Sequence, residues 1–130
     1  MRIFKSSWFT KFAAKKGIKD ASIKALVDDI LEQDLANADL GGNVYKIRLA
    51  RSGKGKSGGY RVIVFFKSES KTFFYYAYPK SVLSNINERE LRNFKRISKG
   101  YFSMTEEQIT KAIVIGEFVE VLGVSNEEEI

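Results

Sequence analysis

The chain of 130 residues contains no cysteine and no histidine. Without cysteine it can form no disulfide, no thiolate nucleophile and no cysteine-ligated metal site. Without histidine it lacks the usual base of nucleophile triads and the commonest zinc ligand. No apolar run approaches the roughly 20 residues that span a bilayer. No signal peptide is expected, because Lys11, Lys15 and Lys16 interrupt the only apolar start. These absences predict a soluble, cytoplasmic protein that has no membrane partner.

Positive charge is concentrated in the middle of the chain. Residues 44–99 carry 14 basic and 3 acidic side chains, whereas residues 100–130 carry 1 basic and 7 acidic side chains. Basic residues interleaved with glycines and aromatics favour a polyanionic partner, most simply a nucleic acid. The alternative is a solvated surface that happens to be rich in lysine. The acidic end either screens the basic face or keeps the protein soluble.

The spacing of apolar residues predicts one α+β domain over residues 1–130, with residues 125–130 as a frayed tail. A small antiparallel sheet is expected, made of a three-strand meander and flanking short strands, with N-terminal helices packed on it and C-terminal helices. The predicted strands are 2–5, 45–50, 60–67, 72–78 and 117–121. The predicted helices are 7–16, a second capped by Asp20, a third capped by Asn87 and a fourth capped by Thr105.

Several details of this prediction depend on single residues. Residues 51–59 are predicted as a loop because they include four glycines. Gly100 is expected to end the third helix. Trp8 and Leu31 are expected in the core, because each extends the apolar stripe of its helix.

The strongest candidate for chemistry is RSGKGKSGGYR, residues 51–61, in which lysines alternate with glycines on a backbone that can approach a phosphate closely. Nucleoside triphosphate binding is disfavoured, because GKGKS lacks the P-loop spacing and lies between strands rather than before a helix. In a meander, the end of the third strand lies near the start of the second. The cations predicted to meet at this edge of the sheet, beside Tyr78, are Lys54, Lys56, Arg61 and Lys80.

Such a cluster can cleave RNA without histidine, because RNA supplies its own nucleophile, the 2′-hydroxyl. The protein must deprotonate that hydroxyl, neutralise the phosphate and protonate the leaving oxygen. Crowded cations lower the pKa of a lysine from about 10.4, which makes it a credible base, and arginine is the better phosphate clamp. No metal or cofactor is required, and the basic segment offers no acidic cluster to hold a metal. The alternative is phosphate binding alone, in which these cations only neutralise charge.

GKGKSGGYRVIVFF, TFFYYAYPK and SNINERELRNFKRISKGYF resemble the RelE/HigB group of bacterial type II toxins. The resemblance covers nearly the whole chain and includes MTEEQITKAI and GEFVEV near its end. It implies a small α+β fold like that of the microbial ribonucleases. It also implies cleavage of messenger RNA, often in the ribosomal A site, and a cognate antitoxin that holds the toxin inactive.

The resemblance implies a role for each matched basic residue. Lys54 and Lys56 match the basic loop positions and would carry protons and bind phosphate. Arg61 matches the strand arginine that would hold the scissile phosphate. Lys80 falls where members place a late basic residue, although this sequence reads YPKS where relatives more often have a form like FAKN.

Three further residues are candidates for RNA binding, each with a structural alternative. Tyr78 either stacks on a base or belongs to the core. Arg48 and Arg51 either contact the RNA backbone or are solvated charges at the strand edge.

Other functions remain open at the level of sequence. Gyrase-poisoning toxins of the ParE type share the fold without cleaving RNA, and fold alone does not separate the two activities. The lysine-rich loop favours the ribonuclease. A third hypothesis is an RNA-binding module without catalysis. The antitoxin would either cover the basic cluster with an acidic segment or pack as a helix elsewhere and block entry to the ribosome.

Overall fold

The computed structural model describes residues 1–32, 38–51, 55–79 and 86–122, except for the side chains of residues 50, 51 and 55–58. The predicted tail, residues 125–130, therefore lies outside the described residues. Within these residues the chain is α+β, as predicted, with five strands and four helices. In chain order the elements are β1 (Arg2–Ser6), α1 (Ser7–Lys16), α2 (Asp20–Glu32), β2 (Val44–Arg51), β3 (Gly55–Phe66), β4 (Lys71–Pro79), α3 (Glu88–Phe102), α4 (Glu106–Val114) and β5 (Phe118–Glu120).

The strands form one sheet in the order β2-β3-β4-β1-β5. β2, β3 and β4 are the predicted antiparallel meander. β1 then pairs parallel with β4, and β5 closes the sheet antiparallel to β1. The sequence pattern predicts β1 as a strand but not its place beside β4. The physical reason for it is that Ile3 and Phe4 point to opposite faces and are both almost fully buried, which requires cover on both sides of the strand.

Helices cover both faces of the sheet. On one face, α1 and α2 pack against the sheet around Phe9 and Ile23. On the other face, α3 and α4 pack around Phe65, Phe73 and Ile109. We call this second surface the α3 face. None of the helices in the described ranges is long and apolar enough to cross a membrane.

A β-bulge in β4 changes which aromatic rings reach the α3 face. Ile63 pairs with Tyr76, but Val64 pairs with Phe74, so Tyr75 is an extra residue on β4. Successive residues of a regular strand point to opposite faces. Here Tyr75 and Tyr76 both pack with the cluster on the α3 face. The bulge therefore concentrates tyrosines on one side of β4.

α3 begins as predicted but ends later than predicted. The Asn87 side chain accepts a hydrogen bond from the Glu90 backbone, and the Glu90 side chain accepts one from the Asn87 backbone, which completes a capping box. The prediction that Gly100 ends the helix is wrong. Tyr101, the next residue, packs its ring 5.0 Å from that of Phe73. This burial outweighs the penalty of about 1 kcal/mol for a glycine inside a helix.

Two other predictions are wrong. β3 begins at Gly55, inside the segment predicted as a loop, because Arg51 pairs with Gly55 and extends the hairpin. Trp8 is 42% exposed and Leu31 is 53% exposed, so neither is a core residue. Trp8 lies just beyond the end of β1, and Leu31 lies in the last turn of α2, where the sheet no longer covers the helix.

Tyr101 makes stability sensitive to alkaline pH. Burial raises its pKa to about 12, and the nearby Tyr75 and Glu117 add to the effect. The unfolded phenol ionises near pH 10, so stability is complete below pH 10 and falls as pH rises towards 12. By pH 11 this loss reaches about 1.4 kcal/mol. We expect the free energy of unfolding, measured in urea, to fall less between pH 9 and pH 11 in Tyr101→Phe than in the wild type. An equal fall in wild type and variant would contradict the assignment of the alkaline loss to Tyr101.

Candidate nucleic-acid site

Three polar side chains form a row across the meander. Arg48 on β2 pairs with Arg61 on β3, and Arg61 pairs with Tyr78 on β4. Residues directly opposite one another in an antiparallel pair share a face, with Cβ atoms about 4.5–5.5 Å apart. We call Arg48, Arg61 and Tyr78 the cationic row. Its existence follows from strand register, and it agrees with the predicted proximity of Arg61 and Tyr78.

The cationic row lies at the margin of the core on the α3 face. Arg61 precedes Ile63 by two residues, and Ile63 and Tyr78 both belong to the cluster under α3. Tyr78 is only 5% exposed, whereas Arg61 is partly exposed. The Tyr78 ring is therefore packed in protein, and its hydroxyl is the part of the side chain suited to polar contact. One end of the row is apolar and the other is open to charged ligands.

Two polar atoms of the row are buried without a hydrogen bond. Nη1 of Arg61 and the hydroxyl of Tyr78 find no partner among the residues that the structure describes. An unsatisfied buried group costs roughly 1–3 kcal/mol, and more when it is charged. Buried polar groups in native proteins are usually paired, so an exception calls for an explanation, such as local strain, an ordered water, a bound ion or a catalytic role. A guanidinium and a phenol side by side present donors that match the oxygens of one anion.

Electrostatics determine what Tyr78 can contribute. Burial raises the pKa of its phenol, the Arg61 charge lowers it, and Glu90 and Tyr76 raise it further. The net direction is upward, so Tyr78 is a neutral phenol at physiological pH. A neutral phenol donates a hydrogen bond and is a poor base at this pH. Tyr78 therefore suits binding of an oxyanion better than removal of a proton.

Only part of the predicted cluster lies within the described residues. Arg61 and Tyr78 come together, and Arg48 joins them from β2. Arg48 is exposed and also makes an interaction within the protein. Lys54 and Lys80 lie outside the described residues. For Lys56 and Arg51 the strand backbone is described but the side chain is not.

The predicted site omits a second basic surface that the structure reveals on α3. Arg89, Arg92, Asn93 and Arg96 line an open groove of about 580 Å³, together with Glu90. The signal in the sequence is their spacing of three, four and seven residues, which aligns side chains on one face of a helix. Ile86 and Leu91 pack in the same cluster as Tyr78, which places the start of α3 near the cationic row. Arginines so arranged suit contacts to phosphates.

Metal binding has little support in this part of the chain. Across residues 1–32, 38–51, 55–79 and 86–122, no group of three or more acidic side chains could hold a metal ion. What the described part of the site offers is positive charge and hydrogen-bond donors, which suit an oxyanion.

A model of the RelE family, described as the RelE toxin of the RelE/RelB toxin–antitoxin system, matches residues 1–121. The match runs from β1 to the end of β5, so it includes every described element. It confirms the resemblance to RelE toxins and implies an antitoxin partner. The α+β architecture, with helices on both faces of an open and mostly antiparallel sheet, agrees with that match. The chain therefore belongs to the RelE family of toxins from toxin–antitoxin systems.

Proposed function

We propose that this toxin is an endoribonuclease that cuts messenger RNA on the ribosome, in the cytoplasm, without a metal. The observation that supports it most directly is a pair of buried donors in the cationic row, Nη1 of Arg61 and the hydroxyl of Tyr78, that have no hydrogen-bond partner among the described residues. The net excess of basic residues over residues 44–99 supports RNA as the substrate class.

In the proposed reaction, the 2′-hydroxyl of one nucleotide attacks the adjacent phosphorus. A new bond forms from the 2′-oxygen to phosphorus, and the bond from phosphorus to the 5′-oxygen breaks. The products are a 2′,3′-cyclic phosphate and a 5′-hydroxyl. The 2′-hydroxyl proton passes to a base on the protein, and an acid returns a proton to the 5′-oxygen, so the protons balance.

Each residue of the site has a proposed part in this step. Arg61 holds a non-bridging phosphate oxygen and neutralises the charge that develops there, and Tyr78 donates a second hydrogen bond. Lys54, Lys56 and Lys80 carry the protons. Arg48 and Arg51 contact the RNA backbone.

The proposal is tested on ribosomes programmed with a defined message. The protein is first treated with EDTA and desalted, so that any tightly bound metal is removed. We expect cuts at a fixed position within the codon of the A site, and RNA ends that carry a cyclic phosphate and a 5′-hydroxyl. A message that stays intact would overturn the proposal. DNA breaks from gyrase would instead support the ParE-like alternative, and RNA binding without cuts would support the binding module.

A further inference from the structure

A groove of about 540 Å³ lies beside the cationic row, at the point where β1 ends and α1 begins. Its walls include Trp8, Tyr75, Tyr76 and Tyr101. The volume falls within the range of about 300–1,000 Å³ that is typical of ligand sites. Each of these four rings is partly or largely exposed, although large aromatic residues are usually buried. We call it the Trp8 groove.

The Trp8 groove is connected to the cationic row through neighbouring, tilted rings. The ring centroids of Trp8 and Tyr76 are 4.2 Å apart, and those of Tyr76 and Tyr78 are 6.4 Å apart. Tyr78 is in turn the cross-strand partner of Arg61. Tyr76 and Tyr75 face the same side of the sheet only because of the bulge in β4. The bulge thus joins an aromatic groove to a cationic site.

The chemistry of the groove differs from that of the row. Apart from the aromatic rings, its lining is Ser6, Ser7 and the carboxylate of Glu117 among the described residues. A carboxylate disfavours phosphate and acidic peptide alike, but it accepts hydrogen bonds from the amino groups of bases. Aromatic side chains stack on bases of every kind. The groove therefore complements a base, and the row complements a phosphate.

We propose that the Trp8 groove is a base-binding subsite that holds an unpaired nucleobase of the RNA whose phosphate lies at the cationic row. This inference rests on the proposed function, because it assigns the same RNA to both surfaces. Trp8, which stacks on Phe12 with one face, and Tyr76 form an aromatic wall, and the base packs against the exposed parts of these rings. Glu117 accepts a hydrogen bond from the edge of the base. The subsite fixes the position of the strand relative to Arg61.

The sequence makes a direct test available, because Trp8 is the only tryptophan of the chain. Its fluorescence therefore reports on this groove alone. The probe is a short single-stranded RNA with a methyl group on every 2′-oxygen, so that the nucleophile is blocked. We expect this RNA to change the Trp8 emission, and an abasic oligomer of equal length to bind without that change. Equal changes with both oligomers would overturn the inference.

Substitution of Trp8 gives an independent measurement. We expect Trp8→Ala to weaken RNA binding, followed by anisotropy of a labelled oligomer, about 5- to 100-fold, and to lower kcat/KM on programmed ribosomes by a similar factor. Trp8→Phe keeps a ring and should stay within about threefold of the wild type. Leu31→Ala is the matched control, since it removes another exposed apolar side chain, at the end of α2.

The outcomes separate this inference from the proposed function. Normal cleavage by wild type and by Trp8→Ala, with unchanged Trp8 emission, would overturn the base subsite and leave the ribonuclease intact. Absence of cleavage by wild type would overturn the ribonuclease. A thermal unfolding curve for each variant distinguishes lost binding from lost fold, and the emission test on the wild type carries the inference if Trp8→Ala does not fold.

Discussion

Replacing Arg61 with methionine is expected to reduce message cleavage at least about 100-fold without loss of stability. Removal of one donor to a developing oxyanion commonly costs about 100- to 1,000-fold in rate. Arg61 also leaves a buried nitrogen without a partner among the described residues. An apolar side chain of similar length removes that penalty, so the free energy of unfolding should stay constant or rise by about 1 kcal/mol. Cleavage on programmed ribosomes and urea unfolding give the two measurements.

A matched control for Arg61 is available just beyond the end of the same strand. Lys67 is exposed in the turn after β3, six residues beyond Arg61, and Lys67→Met removes the same charge far from the cationic row. We expect this variant to cleave at the wild-type rate. If both variants lose activity equally, net charge rather than the cationic row determines the rate. If Arg61→Met cleaves normally, Arg61 has no part in the reaction.

Replacing Phe73 with alanine is expected to destabilise the fold by about 3–5 kcal/mol, the range for a large buried aromatic. Phe73 is 1% exposed. Its ring lies 5.3 Å from those of Phe4 and Phe118 and 5.0 Å from that of Tyr101, so it joins β1, β4, β5 and α3. A cavity here removes contacts from four elements at once. Since proteins of this size are stable by about 5–15 kcal/mol, the variant should unfold at much lower urea concentration.

Substitutions that leave cavities of different size test whether lost packing causes the destabilisation. Phe73→Leu retains much of the volume and should cost clearly less than Phe73→Ala. Trp8→Ala, at a 42% exposed position, should cost less again. Equal destabilisation by all three substitutions would contradict this account of the core.

Local sequence signals predicted the helix starts well. The third and fourth helices begin at the predicted caps, where Asn87 and Thr105 each complete a capping box. These motifs act within one turn, so they need no information from the rest of the chain. Gly100 failed as a stop signal because the contact between Tyr101 and Phe73 joins segments far apart in sequence. A local propensity of about 1 kcal/mol gives way to such packing.

The sequence predicted which types of side chain meet near the start of β3, but not how they are arranged. The meander placed Arg61 near Tyr78, and the structure agrees. Whether Arg48 lies in the cationic row depends on the pairing register of β2 and β3. The alternation of apolar and polar residues does not fix this register, and a shift by one residue moves a side chain to the other face. The Trp8 groove was not predicted at all. It requires the end of β1 and the bulge at Tyr75 to coincide in space.

What the sequence by itself determined is the chemistry available to this protein. The absence of histidine and cysteine and the basic segment hold in any fold that the chain adopts, and the capping motifs of α3 and α4 need only the residues of one turn. Tertiary structure alone decided the parallel placement of β1 beside β4, the bulge at Tyr75 and the burial of Arg61 against Tyr78. These depend on pairing between segments distant in sequence, where the burial of both faces of β1 and of the rings around Phe73 outweighs each local preference.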